Sequence, residues 1–146
     1  MKTAIVWFKT DLRVHDNEVL IRAIENNEEI VPVYCLQEGH FRVNEFGFLK
    51  TGSFRAVFLL ESLKDLHENL QTLGSGLIVV YGKPEEEIPK IAAQYHALKL
   101  YSKKEIAPEE LLTDKLVETA LLSLNCGVEQ YDTGSLIEAM DLPFTI

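Results

Sequence analysis

Five short apolar runs alternate with segments of helical period, and this alternation constrains the fold more than any other feature of the chain. The runs cover residues 3–8, 29–36, 77–81, 98–102 and 128–131. The first is continuously apolar and β-rich, as expected of a strand covered on both faces. Between the runs, residues 17–26, 53–73, 84–95 and 108–124 carry helical spacing or helix-start signals. Asp16 or Asn17 is placed to cap the first helix. In the second, Leu59, Leu63, Leu66, Leu70 and Leu73 form one stripe, and Gly74 ends it. Pro84 and Pro108 open the third and fourth, each followed by acids that suit the positive end of a helix dipole. Pro89 is expected to bend or delay the third helix.

Strands separated by helices are parallel and joined by right-handed crossovers. The expected fold is α/β: a Rossmann-like, doubly wound, five-stranded parallel sheet in a three-layer α/β/α arrangement. Such sheets bind ligands beyond the carboxyl ends of their strands. Those ends fall near Lys9, Gln37, Gly82, Lys103 and Asp132. Residues 37–51 form a long loop with three Phe, a length that often signals function.

A length of 146 residues suits one domain. No run of about 18 apolar residues exists, and the N-terminal apolar run is too short for a signal peptide, so no membrane contact and a cytoplasmic location are expected. The net charge of −9 argues against binding nucleic acid directly, because that affinity rests on basic side chains displacing counterions. Cys35 and Cys126 form no metal or redox motif, and Cys35 reads as a buried thiol.

Familiar catalytic patterns are missing. Gly74-Ser75-Gly76 precedes a strand, whereas a dinucleotide fingerprint follows one. Gly82-Lys83-Pro84 lacks the second glycine and the hydroxyl of a phosphate loop. His15, His40, His67 and His96 show no metal-ligand spacing, and His67 reads as a solvated flank of the leucine stripe. Neither a catalytic set nor a metal site is expected.

One segment stands out after the first strand: Trp7-Phe8-Lys9-Thr10-Asp11-Leu12-Arg13-Val14-His15-Asp16-Asn17. Its charges, Asp11 and Arg13, either shape the turn or touch a ligand, and the architectural role is the expectation. This segment resembles the N-terminal signature of DNA photolyases and cryptochromes. Further stretches are similar to the cryptochrome-DASH branch: Val33–Leu36, Lys50-Thr51-Gly52-Ser53-Phe54-Arg55, Phe58–Leu63, Gly82–Glu86, Gly134-Ser135 and Asp141-Leu142-Pro143-Phe144. One departure is Lys9, where the family usually has Arg. An ammonium cannot make the bidentate contacts of a guanidinium.

The resemblance implies that residues 1–131 are the antenna-binding domain and 132–146 the start of a linker. The family's helical FAD-binding domain, through which DNA would be bound, lies beyond the sequence. FAD chemistry and repair of cyclobutane pyrimidine dimers in single-stranded DNA would belong to that partner domain, leaving no catalytic residue here. Methenyltetrahydrofolate is the antenna pigment the resemblance implies, held in a cleft of which this chain supplies one wall. Glu110 is its first-choice acidic ligand, with Glu109 next and Glu105 third; dipole compensation is the plain alternative reading. Phe8, Lys9 and Phe48 are candidates to lie against the pigment, and Phe8 and Phe48 could equally be core. Asp11, Arg13, Asp16 and Asn17 are assigned to the structural turn. Isolated, the chain is expected to hold folate weakly or not at all, and to self-associate through apolar surface such as Phe46 and Phe48. Two other readings stand beside this one: a blue-light signalling domain and a stand-alone nucleotide-binding module.

Overall fold

A computed structural model describes residues 2–134 and 143. Strands β1 (Thr3–Phe8), β2 (Glu29–Gln37), β3 (Ile78–Gly82), β4 (Lys99–Lys103) and β5 (Gly127–Tyr131) form one sheet in the order β3-β2-β1-β4-β5. All four pairings are parallel, as the alternation of runs requires. Helices α1 (Glu18–Asn26), α2 (Ser53–Thr72), α3 (Pro84–Gln94) and α4 (Pro108–Leu122) make the crossovers. The expected linker from 135 onward lies outside the described residues, apart from Pro143. No helix among the described residues is long and apolar enough to cross a membrane.

Central β1 is buried along its whole length, which is why it reads as an unbroken apolar run. Its residues alternate between two cores. Ala4, Val6 and Phe8 face α1 and α2, meeting Val19, Leu20, Ala23, Leu63, Leu66 and Leu70. Ile5 and Trp7 face α3 and α4, meeting Ile88, Ile91, Val117 and Leu121. The three layers follow from this alternation.

Asn17 is the cap of α1, its Oδ1 accepting from the Leu20 N–H at 3.1 Å. Asp16 instead takes the left-handed turn before it, at φ 47°. Gly74 follows α2 at φ 80°, where a Cβ would be strained.

Three expectations need correction. The leucine stripe loses its last member: Leu63, Leu66 and Leu70 are buried, but Leu73 is the C-cap and exposed. His67 is not simply a solvated flank, because its Nδ1 accepts from the Leu77 N–H at 3.1 Å and ties α2 to the start of β3. Pro89 does not delay α3, which begins at Pro84 and runs through it. Its cost is the single bond that its missing N–H would have made to the carbonyl four residues back.

Both thiols are buried, Cys35 on β2 and Cys126 before β5. Burial, helped by Glu87 and Glu85, pushes the Cys35 thiol up to about 12 from an ordinary 9.0. Burial alone pushes Cys126 up to about 11. The folded chain therefore keeps both protonated where the unfolded chain begins to ionise them. Stability from this source is complete below pH 9.0 and falls as pH rises toward the folded values. Urea midpoints should accordingly hold up to about pH 9 and drop between about pH 9 and pH 11, and a disulfide-exchange reagent should label neither thiol at about pH 8 until urea is added. Labelling of the native chain at the rate of a free thiol would contradict this burial.

Candidate functional site

The strand order reverses at β1, whose neighbours β2 and β4 lead away in opposite directions. Open α/β sheets place their ligands at such a switch point. A cleft of about 280 Å3 opens there. Trp7, Phe8, Lys9 and Thr10 supply its floor from β1, and Tyr34 to Gln37 extend it along β2. The start of α2, through Arg55, Phe58, Leu59 and Ser62, makes one side. Glu105, Glu110, Thr113 and Asp114, from the β4–α4 connection and α4, make the other. The chain thus builds a floor and two facing sides, not the single wall expected from the sequence.

The segment after β1 is folded by its own side chains. Asp11 Oδ1 accepts from the Lys9 N–H at 3.0 Å. Asn17 donates through Nδ2 to the carbonyls of Asp11 and Arg13, at 3.3 and 2.9 Å. Arg13 donates to the carbonyls of His15 and Asp16, at 3.1 and 3.0 Å. None of these four residues lines the cleft, so their contacts fit a structural turn. Arg13 is more than half exposed, and its ion pair is with Asp16 at 3.9 Å.

Lys9 turns inward. Its Nζ lies 2.5 Å from Asp114 Oδ1, 3.0 Å from the Lys103 carbonyl oxygen and 4.5 Å from the centre of the Trp7 ring. Both side chains of the ion pair are about nine-tenths buried. The second carboxylate oxygen of Asp114 accepts from Gln130 Nε2 at 2.8 Å, and Gln130 also reaches Ser102 Oγ at 3.4 Å. An arginine at position 9 could have forked onto both oxygens; here an ammonium and an amide divide them. This clamp fixes α4 against the ends of β1, β4 and β5. It places Glu110, one turn before Asp114, beside the cleft.

The acidic candidates separate. Glu110 and Glu105 line the cleft, and Glu105 Oε1 accepts from the Thr10 hydroxyl at 3.3 Å. Glu109 is exposed outside it and forms an ion pair with Lys50, whose contact holds the carboxyl below its ordinary range. Phe8 lines the floor while 1% exposed, so it is core and cleft at once. Phe48 does not line it. It projects from a turn in which Asn44 Oδ1 accepts the N–H groups of Phe46 and Phe48, and it is 70% exposed. Phe58, which is exposed, offers the aromatic surface instead; Trp7, like Phe8, lines the cleft while nearly fully buried. Burial, ahead of Lys50 and Arg55, lowers the pKa of His40 at the cleft edge, and burial raises that of Tyr34. Among the described residues, no group of three or more His, Cys, Asp or Glu could hold a metal.

Reading the sequence missed Asp114, Gln130 and Arg55 as site residues. Asp114 was marked only by following Glu110 at i+4, and Gln130 carried no signal at all.

The profile of the DNA photolyase family matches residues 4–145. A cryptochrome DASH of Gloeobacter violaceus is 42% identical over 145 residues, which is 99% of this chain and 29% of that protein. An Arabidopsis thaliana protein described as a blue-light photoreceptor is 39% identical, with 99% and 32% covered. Among solved structures, a cryptochrome of Synechocystis superposes with a TM-score of 0.95 at 39% identity, covering 99% of this chain and 30% of that one. An archaeal photolyase of Sulfolobus tokodaii, solved with two FAD molecules, superposes with 0.82 at 21% identity, covering 97% and 32%. The chain spans about three-tenths of the length of these relatives.

Removing Gln130 leaves one oxygen of a buried carboxylate unsatisfied. Gln130→Ala should therefore cost about 1.5–3 kcal/mol in urea unfolding. Adding Lys9→Arg in that background should restore at least half of the loss, because a guanidinium can occupy both Asp114 oxygens. Strictly additive effects of the two substitutions would show that the clamp does not work this way.

Proposed function

The chain belongs to the DNA photolyase family, and from that premise we propose that it is the pigment-holding domain of a DASH-type photolyase or cryptochrome. Its cleft would hold a light-harvesting pigment, and FAD and the photochemistry would reside in a further domain such as its longer relatives have room for. The observation that carries this reading is the cleft at the β1 switch point, with an exposed aromatic ring, Phe58, on one side and carboxylates on the other. Its volume lies just below the roughly 300–1,000 Å3 usual for small-molecule sites, which suits a fused ring system with its tail outside.

Methenyltetrahydrofolate is the pigment we assign. The pigment supplies absorption of near-ultraviolet or blue light and passes that energy to a flavin. Phe58 would lie against its flat ring. Glu110, half-buried in the α4 side, would accept hydrogen bonds from the amino and ring N–H groups of the pterin, a paired contact that selects one orientation. The positive end of α4 favours the ionised carboxylate that this role needs. Repair of pyrimidine dimers in single-stranded DNA is the activity assigned to the whole protein. Binding of that DNA is left to the further domain, since a net charge of −9 repels a polyphosphate. Blue-light signalling is the second reading, favoured by the photoreceptor among the relatives. The same pigment site would serve either. A stand-alone nucleotide module loses ground for want of a phosphate loop.

Two measurements test the reading. In titrations of this chain followed by the near-ultraviolet folate band, Glu110→Gln should weaken binding about tenfold or more, the size of a lost charge-assisted hydrogen bond. Glu109→Gln should leave it nearly unchanged, because that carboxylate faces Lys50 outside the cleft. Equal affinity of Glu110→Gln and the unaltered chain would remove Glu110 from the site.

Phe54 and Val57 form an exposed pair on α2, Phe54 being 92% exposed, and Phe46 lies exposed on the preceding turn. We assign this surface to contact with the remainder of a longer protein. Alone, the chain should therefore sediment as a concentration-dependent mixture of monomer and dimer. The double substitution Phe46→Ser, Phe54→Ser should return it to monomer. A monomer at all concentrations without those substitutions would contradict the assignment.

A further inference from the structure

Two opposite charges line the cleft without an ion-pair or hydrogen-bond partner given by the geometry of the described residues: Glu110 on the α4 side and Arg55 in the first turns of α2. The other ionised groups of the cleft are engaged. Lys9 is paired with Asp114, and Glu105 accepts from Thr10. Arg55 and Glu110 do not pair with each other; they line the same cleft, one from α2 and one from α4, together with Trp7, Leu36 and Phe58. Lys50 does not compete for an anion, because it is taken by Glu109. His40 does not either, since its lowered pKa leaves it neutral at pH 7.

We propose that Arg55 is the anion-selecting residue of the cleft, recognising a carboxylate or phosphate substituent of the pigment while Glu110 takes the donor edge of the ring. This assignment rests on the pigment reading above. A guanidinium offers a planar fork of N–H donors that matches either oxyanion, which an ammonium does not. No side chain caps α2, so the positive end of that helix adds to the same field. The chain as a whole carries −9 and disfavours anions, so recognition of one must be local to such a group. Opposite charges at the two sides also make the cleft polar along its length. A ligand with a donor edge and an anionic tail enters in one orientation, and the reverse orientation places like charges together.

Two ligand pairs test this on the present chain, each pair sharing one ring and differing in the anion. FMN against riboflavin probes a phosphate. Methenyltetrahydrofolate against its pteroylamide analogue, in which a plain amide replaces the glutamate and no carboxylate remains, probes the tail carboxylates. Binding is read from flavin fluorescence and from the near-ultraviolet folate band. The anionic member of at least one pair should bind about tenfold or more tightly, and the pair showing this identifies the oxyanion. Arg55→Gln should abolish that preference and leave binding of the member without the oxyanion unchanged, while Arg55→Lys keeps part of it. The preference should also shrink as salt is raised from 50 to 500 mM. Equal binding within both pairs, or a preference that survives Arg55→Gln, overturns the role of Arg55 and leaves the pigment reading standing. A loss that falls equally on both members overturns it too, since shape rather than charge would then be at work. No binding by any of the four ligands up to millimolar concentration overturns both readings.

Discussion

The Lys9–Asp114 pair is the interaction on which the geometry of the cleft depends. A buried ion pair of this kind is costly to desolvate and is tolerated only when its remaining hydrogen-bonding capacity is filled. Both partners meet that condition. The ammonium has the Lys103 carbonyl and the Trp7 ring, and the carboxylate has Gln130. Four elements are joined through two side chains, so α4 cannot slide along the sheet without leaving a charge unsatisfied. The face of α4 that carries Glu110 and Thr113 is held toward the cleft by the same contacts. The two carboxylate oxygens of Asp114 are divided between Lys9, which directly follows β1, and Gln130 on β5.

Around that clamp, the acidic surface and the cleft divide the electrostatic work. Many charges of the described residues lie in exposed pairs such as Arg22–Glu18 and Lys83–Glu86, which contribute little to stability. Inside the cleft, water is partly excluded and a single charge counts for more. Among the described residues, the cleft holds one buried ion pair, Lys9–Asp114, while Arg55 and Glu110 line it without an ion-pair partner. Glu109 shows why the first turn of α4 cannot be read as a unit. Adjacent residues on a helix point about 100° apart, so Glu109 meets Lys50 in solvent while Glu110 faces the cleft.

Much of the fold was legible in the sequence. Both faces of β1 are covered, so residues 3–8 are apolar without interruption, and that pattern alone announces a parallel sheet. Pro84, Pro108 and Gly74 marked helix ends through constraints that are local to the backbone. The turn of Asp11, Arg13 and Asn17 was legible for the same reason, because its hydrogen bonds span six residues at most. Leu73 was misjudged because helical spacing continues past the point where the sheet beneath it ends.

What the amino-acid order determined alone was therefore the periodic and the local: strands, helices, their caps, the parallel sheet, and the family signature carried by contiguous motifs. The tertiary structure decided which charges meet. Lys9 and Asp114 are 105 residues apart in the chain, and Gln130 reaches both Asp114 and Ser102 from a strand of its own. Packing also decided that Phe48 stands in solvent while Phe58 lines the cleft, and that Arg55 and Glu110 line that same cleft from different helices. Such pairings leave no period in a sequence. They depend on helix register and crossover geometry, which are set by the shape of two hydrophobic cores rather than by any neighbouring residue.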